Sequence, residues 1–199
     1  MQNKEFTERQ IEIMEAATLR IDKFGIQELT IKNLAADINL SEAALYRHFK
    51  SKNEIMLGLL NYFISEMRGR ISKIINKKEC NASELLIELF ESQLITFVQK
   101  PSIVSVIFSE SIFHFNKELS TTVSEMMEMM QKQIESIVKK GQEDGSISKI
   151  VGVSTLTIII MGGMRITVLK WKLSGHQSDL VKDGRKVLDG ILKMVETTN

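Results

Sequence analysis

The sequence predicts an all-α fold, with a small N-terminal three-helix module joined to a larger helical domain. Three observations predict it. Proline occurs once in 199 residues, and chains of strands and loops use proline freely as punctuation, so its scarcity favours long helices joined by short turns. Apolar residues recur at helical spacing in one segment after another. No sustained period-two stretch argues for a sheet, and no internal repeat or low-complexity run interrupts the chain.

Taken in order, the first helix is expected from about Thr7 to Phe24, with Ile13, Ala16, Ala17, Ile21 and Phe24 on one face and Gly25 as its stop. Thr30 offers its hydroxyl as the cap of a short second helix ending near Ile38, with Ile31, Leu34, Ala35 and Ile38 inward. Asn39 sits in the turn, where its short amide side chain tolerates a left-handed backbone. Ser41 caps a third helix reaching about Phe49, and a longer helix is expected from Lys52 to Ile75. After a polar link at Asn76 to Cys80, Ser83 or Asn81 opens a helix that ends at Pro101. Further helices are expected from about Ser102 to Phe115, Lys117 to Glu143, Ser154 to Leu173 and Leu180 to Val195. Residues 1–52 form the first domain on this reading, and residues 53–199 the second.

Composition narrows the function classes. The formal charge is only +1, so no global field draws the chain to nucleic acid, and such affinity must come from a local cation cluster. The single cysteine, Cys80, has no intrachain partner, and the first ten residues contain no apolar signal segment, which fits a reducing cytoplasm. The most apolar stretch, Val151 to Val168, carries Arg165 and several hydroxyl residues; a buried helix is expected there rather than a membrane span. The three histidines (His48, His114, His176) and the cysteine are too dispersed for a metal site. Gly162-Gly163 lacks the Lys-Ser/Thr of a phosphate loop. No nucleophile–base set can be assembled, so neither an enzyme nor a cofactor is expected.

The segment from Leu29 to Phe49 carries the function. Two short helices joined by a turn too tight for antiparallel packing must cross steeply, as in a helix-turn-helix. Ala35 and Ala44 are small at the approach, Leu40 anchors the turn, and Leu45 and Phe49 point inward at i and i+4. Glu42, Ala43, Tyr46, Arg47 and His48 remain on the outer arc, which suits a DNA major groove. The leading end of such a helix reaches base edges. Glu42 either complements the helix dipole or accepts from a cytosine amino group. Arg47 has a choice of guanine or phosphate. Tyr46, His48 and Lys52 supply donors at the flank, and Lys52 opens a helix whose N–H groups favour an anion. Residues 1–52 hold eight cations and eight anions, yet residues 43–52 contain three cations, one histidine and no acid. The positive field is local, and non-specific affinity is modest.

From about Thr7 to Leu60 the chain resembles the TetR family of bacterial regulators. The resemblance rests on Ile13-x-x-Ala16-Ala17, Gly25, Leu29-Thr30-Ile31-x-x-Leu34-Ala35 and Leu45-Tyr46-Arg47-His48-Phe49-Lys50-Ser51-Lys52-x-Glu54-Ile55. It implies an all-helical homodimer that binds a palindromic operator and usually represses. By position, Thr30, Lys32, Tyr46, His48 and Lys52 match the family's usual phosphate contacts. Glu42, Ala43 and Arg47 match its base-reading positions, and Ser41 opens the reading helix. Asn39 replaces the usual turn glycine, and Arg20 stands where an apolar residue is common.

The second domain resembles only the general TetR plan. A Met- and Phe-rich interior serves as ordinary core and can also hold an apolar or amphipathic effector. The candidate lining is Phe90, Phe97, Phe108, Phe113, Met127, Met130 and Met161, with Glu110, His114 and Arg165 as inward polar groups. Arg165 pairs with an acid, crosses a dimer interface or faces an anionic ligand group. The last two helices are the expected dimer interface, with Gly162 and Gly163 permitting close approach and Ile158, Val168, Val187, Ile191 and Met194 filling it. The expected partners are an inverted-repeat DNA duplex, a second copy of the chain and a small effector, with no membrane. The alternative reading is a DNA-binding protein of the same fold that acts through a partner or by architecture, without a small-molecule effector.

Overall fold

The computed structural model describes residues 6–77, 80–108 and 116–195. Among these residues every regular element is helical: α1 (Glu8–Phe24), a 3₁₀ turn (Ile26–Glu28), α2 (Ile31–Asp37), α3 (Glu42–Tyr46), α4 (Lys52–Ile75), α5 (Ala82–Gln99), α6 (Pro101–Ile107), α7 (Lys117–Asp144), α8 (Val153–Leu173) and α9 (Leu180–Val195). The chain divides into two compact units, residues 1–66 with 100–125 and residues 67–99 with 126–199.

The caps explain most helix starts. Thr7 and Gln10 form a reciprocal capping box at the head of α1. Asn81 and Glu84 do the same for α5, each side chain accepting the other's backbone N–H at 2.9 Å. Pro101 occupies the first turn of α6 and so starts that helix rather than merely ending α5. The part of the expected 102–115 helix beyond Phe108 lies outside the described residues.

In the first unit, Ile13, Met14, Ala17 and Ile21 of α1 join Leu34, Leu45, Phe49, Ile55 and Leu60 in a core that excludes solvent. In the turn, Asn39 adopts φ 52°, the left-handed conformation its side chain tolerates. The Asn39 N–H donates to the Ala36 carbonyl, and the Leu40 N–H to that of Ala35 at 2.9 Å. Replacing Asn39 by glycine should leave stability within a few tenths of a kcal/mol, whereas Asn39→Val should cost about 1–2 kcal/mol. Urea unfolding at one fixed protein concentration measures both.

In the second unit, α9 packs against α5 and α8. A Cβ built on Gly184 would fall 2.2 Å from Leu94 Cδ1, so any larger residue at this crossing of α5 and α9 requires the Leu94 side chain to move. Arg185, one residue on, reaches Glu91 of α5 at 2.8 Å and Asp189 at 2.7 Å. Gly141 is equally confined, since its Cβ would meet Ala82 Cβ and Ile147 Cδ1 at 2.7 Å. A methyl attached directly to backbone cannot swing aside. Gly141→Ala should therefore destabilise by about 1–2 kcal/mol, because overpacking outweighs the helix-propensity gain. Gly69 in α4 has nothing within 4 Å of its would-be Cβ, and Gly69→Ala should stabilise by about 0.5–1 kcal/mol. The opposite signs distinguish a packing glycine from a free one.

α8 departs from expectation. It is long and apolar enough to cross a membrane by length and composition, and it is only partly buried. One face is buried, through Leu156, Thr157, Ile160, Val168 and Trp171. The opposite face is open, with Ile158 61%, Ile166 57% and Leu173 78% exposed. Of the residues expected to fill a dimer contact, Val168 and Ile191 instead belong to the interior of the unit, whereas Ile158, Val187 and Met194 are exposed.

Candidate nucleic-acid interface

The reading segment is built from its backing outward. Leu45 is fully buried and Phe49 nearly so, so one side of α3 is pinned to the core. Thr30 Oγ1 accepts the Asn33 N–H and Ser41 Oγ accepts the Ala44 N–H, both at 3.1 Å. These two caps fix where α2 and α3 begin. Asn33 also donates through Nδ2 to the Glu28 carbonyl at 3.1 Å, tying α2 to the 3₁₀ turn. Arg20 lies 3.2 Å from Asp37 and stacks over Phe24 at 5.0 Å. It thereby links α1 to the end of α2.

With its inner side locked, the segment exposes Thr30, Lys32, Ser41, Glu42, Ala43, Tyr46 and Arg47. All seven of these expected residues are open to solvent. The helix is shorter than expected, however, ending at Tyr46. Arg47 and His48 lie in the turn that follows. The His48 and Phe49 N–H groups both reach back to the Leu45 carbonyl, which closes the helix before Phe49. His48 is half-buried, and its carbonyl accepts from Gln10 Nε2 of α1 at 3.3 Å.

Lys52 holds a different position from a free surface cation. Its Nζ donates to the Ile26 carbonyl at 2.9 Å. Burial pulls its pKa below the usual lysine range, against the opposing pull of Glu28. The ammonium thus ties the start of α4 to the 3₁₀ turn while its N–H-rich helix end faces the same region. Ser51 caps α4 through the Glu54 N–H at 3.2 Å, and the Glu54 carboxylate accepts the Lys50 N–H.

A profile described as bacterial regulatory proteins of the tetR family matches residues 13–59. A second, described as the YsiA-like protein C-terminal region, matches residues 58–194. The chain belongs to the TetR family. It is a helix-turn-helix DNA-binding transcriptional regulator, and TetR regulators act as dimers. Among sequence relatives, the nucleoid occlusion factor SlmA of Alteromonas mediterranea is 26% identical over 135 residues, covering 67% of this chain and 68% of that protein. The ketosteroid transcriptional regulator KstR2 of Mycobacterium tuberculosis superposes with a TM-score of 0.79 over 98% of each chain, at 20% identity. FadR from Bacillus subtilis, solved in complex with stearoyl-CoA, does so at 0.75 over 94% of this chain and 99% of its own, also at 20% identity.

In this TetR chain the described residues expected to line an effector pocket are divided between the two units. Phe90, Phe97 and Met130 are buried in the second unit, with Met161 half-buried there. Phe108 belongs to the first unit and is half-buried. Met127 is 41% exposed, outside the interior where periodicity placed it. Arg165 is also exposed, on the open side of α8, and is not an inward group. Glu110, Phe113 and His114 lie outside the described residues. A cavity of about 290 Å³ opens elsewhere, in the first unit, and none of those candidates lines it.

Proposed function

We propose that this regulator is a repressor that grips an inverted-repeat operator as a homodimer joined through α8 and α9, and is released by a small apolar or amphipathic effector. The observation that carries this reading is the outward arc of α3, exposed on a helix whose opposite side is sealed in the core. Glu42, Ala43 and Arg47 are the base readers in this account. Thr30, Lys32, Ser41, Tyr46, His48 and Lys52 hold the phosphates that fix register. The cytoplasm is where such a protein works, and residues 1–52 are its reading domain.

The dimer reading is supported by the open apolar side of α8 and by Val187 and Met194 beside it on α9. Gly162 and Gly190 on these helices have nothing within 4 Å of a would-be Cβ, which leaves room for a second backbone to approach. Two reading helices about one DNA turn apart, ~34 Å, then meet two half-sites. Effector binding acts through α4, which is continuous from Lys52 to Ile75; a small shift of that helix spoils simultaneous docking. FadR bound to stearoyl-CoA favours an amphipathic effector. The SlmA relative, named for nucleoid occlusion, favours the second reading, in which no small molecule takes part.

Transcription in vitro from a promoter carrying the preferred repeat should fall as protein saturates the site, and a rise would replace repression with activation. Stearoyl-CoA, as the first probe, should weaken operator binding, and operator should weaken stearoyl-CoA binding by the same factor. Equal stearoyl-CoA affinity with and without operator would contradict the coupling.

Lys52→Ala is expected to lower affinity for all sequences and to reduce the slope of log affinity against log salt by about 1. An unchanged slope would assign the ammonium to the Ile26 carbonyl alone.

A further inference from the structure

We propose that the cavity between α1 and α4 is a second small-molecule site, set inside the DNA-reading unit and selective for compact neutral apolar ligands. The inference does not depend on the effector reading above. The cavity measures about 290 Å³, just under the roughly 300–1,000 Å³ of ligand pockets, so it suits a small ligand no larger than a medium-chain alcohol.

Its walls come from two helical stripes. Ile11, Met14 and Leu19 line it from α1, and Leu59 and Tyr62 line it from α4. Leu19 is 70% exposed. An isolated exposed leucine is ordinary, but this one forms the lip of an apolar concavity. The ring of Phe6 meets that of Tyr62 edge-on at 6.3 Å, which holds the aromatic wall in place.

Charge at the rim selects against anions. Lys100 is the one cation among the lining residues, and its Nζ is already 2.6 Å from Glu66 Oε2 and 5.4 Å from the Tyr62 ring centroid. Glu15 lines the cavity as well. The lining thus holds one free carboxylate-bearing side chain and one ammonium already paired with Glu66. The Thr18 hydroxyl donates to the Met14 carbonyl at 2.9 Å, so it has no hydrogen to spare. A charged head group would leave water without gaining a partner.

The site is wired to the reading segment through one side chain. Met14 lines the cavity, and its Sδ lies 3.0 Å from where a Gly58 Cβ would stand, with Phe49 Cε1 at 3.1 Å from the same point. Phe49 closes the segment that carries α3. An occupant pressing on Met14 therefore bears on the packing that aims the reading helix.

The test is a methyl NMR titration of the full chain labelled at its methionines, with the Met14 resonance identified from Met14→Leu. The probe 1-octanol should shift Met14 saturably, and octanoate, of equal chain length, should bind at least about tenfold more weakly, because like charges disfavour it. Leu19→Glu replaces an exposed residue, so the fold is kept. It should weaken 1-octanol by a similar factor while leaving the Met126 and Met130 resonances in place. Octanol shifts confined to Met126, Met130 or Met161 would overturn the proposal, as would equal binding of octanoate. A Met14 shift that depends on protein concentration alone would assign the groove to a second copy of the chain.

Discussion

Placing a glutamate at Ile166 is expected to split the dimer and to cost about 100-fold or more in operator affinity, the avidity lost when two linked reading heads become independent. Ile166 is 57% exposed, so the protomer loses little packing. It lies on the same side of α8 as Ile158, Gly162, Leu169 and Leu173, spaced at three- and four-residue intervals. A second copy covering that stripe would bury the new carboxylate without a designed partner, and an unpaired buried charge is strongly unfavourable. Sedimentation would report the mass, circular dichroism the retained helix content, and fluorescence anisotropy the DNA affinity. A variant that stays dimeric at full affinity would move the interface away from α8. The expected contrast is Ile160→Glu, which places the charge in the protomer core and should unfold the unit rather than dissociate it.

The second large effect is expected at the reading surface. Arg47→Ala should cost about 1–3 kcal/mol, roughly 5- to 150-fold, if the guanidinium bonds a guanine edge in two places. Preference at one position of each half-site should relax at the same time. Loss spread evenly over all sequences would make Arg47 a phosphate contact, a role its position in the turn after α3 also permits. Arg47 is exposed, so neither outcome is confounded by unfolding.

Much of this was legible in the sequence because caps and buried faces leave periodic marks. Thr30, Ser41 and Asn39 are where local chemistry and backbone agree, and the two short helices follow from them. α4 and α9 also carry the expected bounds. The misreadings have physical causes. Phe49 keeps the inward spacing of α3, but its backbone has already left the helix, since periodicity records which side a residue faces and not its dihedrals. The side of α8 that faces out carries Ile158, Ile166, Leu169 and Leu173 and so is as rich in aliphatic residues as the side that faces in. Hydrophobicity records removal from water without saying whether the cover is intramolecular. Met127 was placed in the interior for the same reason. The α1–α4 cavity was not legible because its walls come from residues 11–19, 59–62 and 100, brought together only by tertiary packing.

The most direct test of the account is selection of duplexes from a random pool by the purified full-length protein at a fixed, stated salt concentration. A symmetric operator-reading dimer should enrich an inverted repeat whose half-sites are centred about one helical turn apart, bound by two protomers. Enrichment of a single unrepeated half-site, or binding with no preferred sequence, would contradict a symmetric operator-reading dimer.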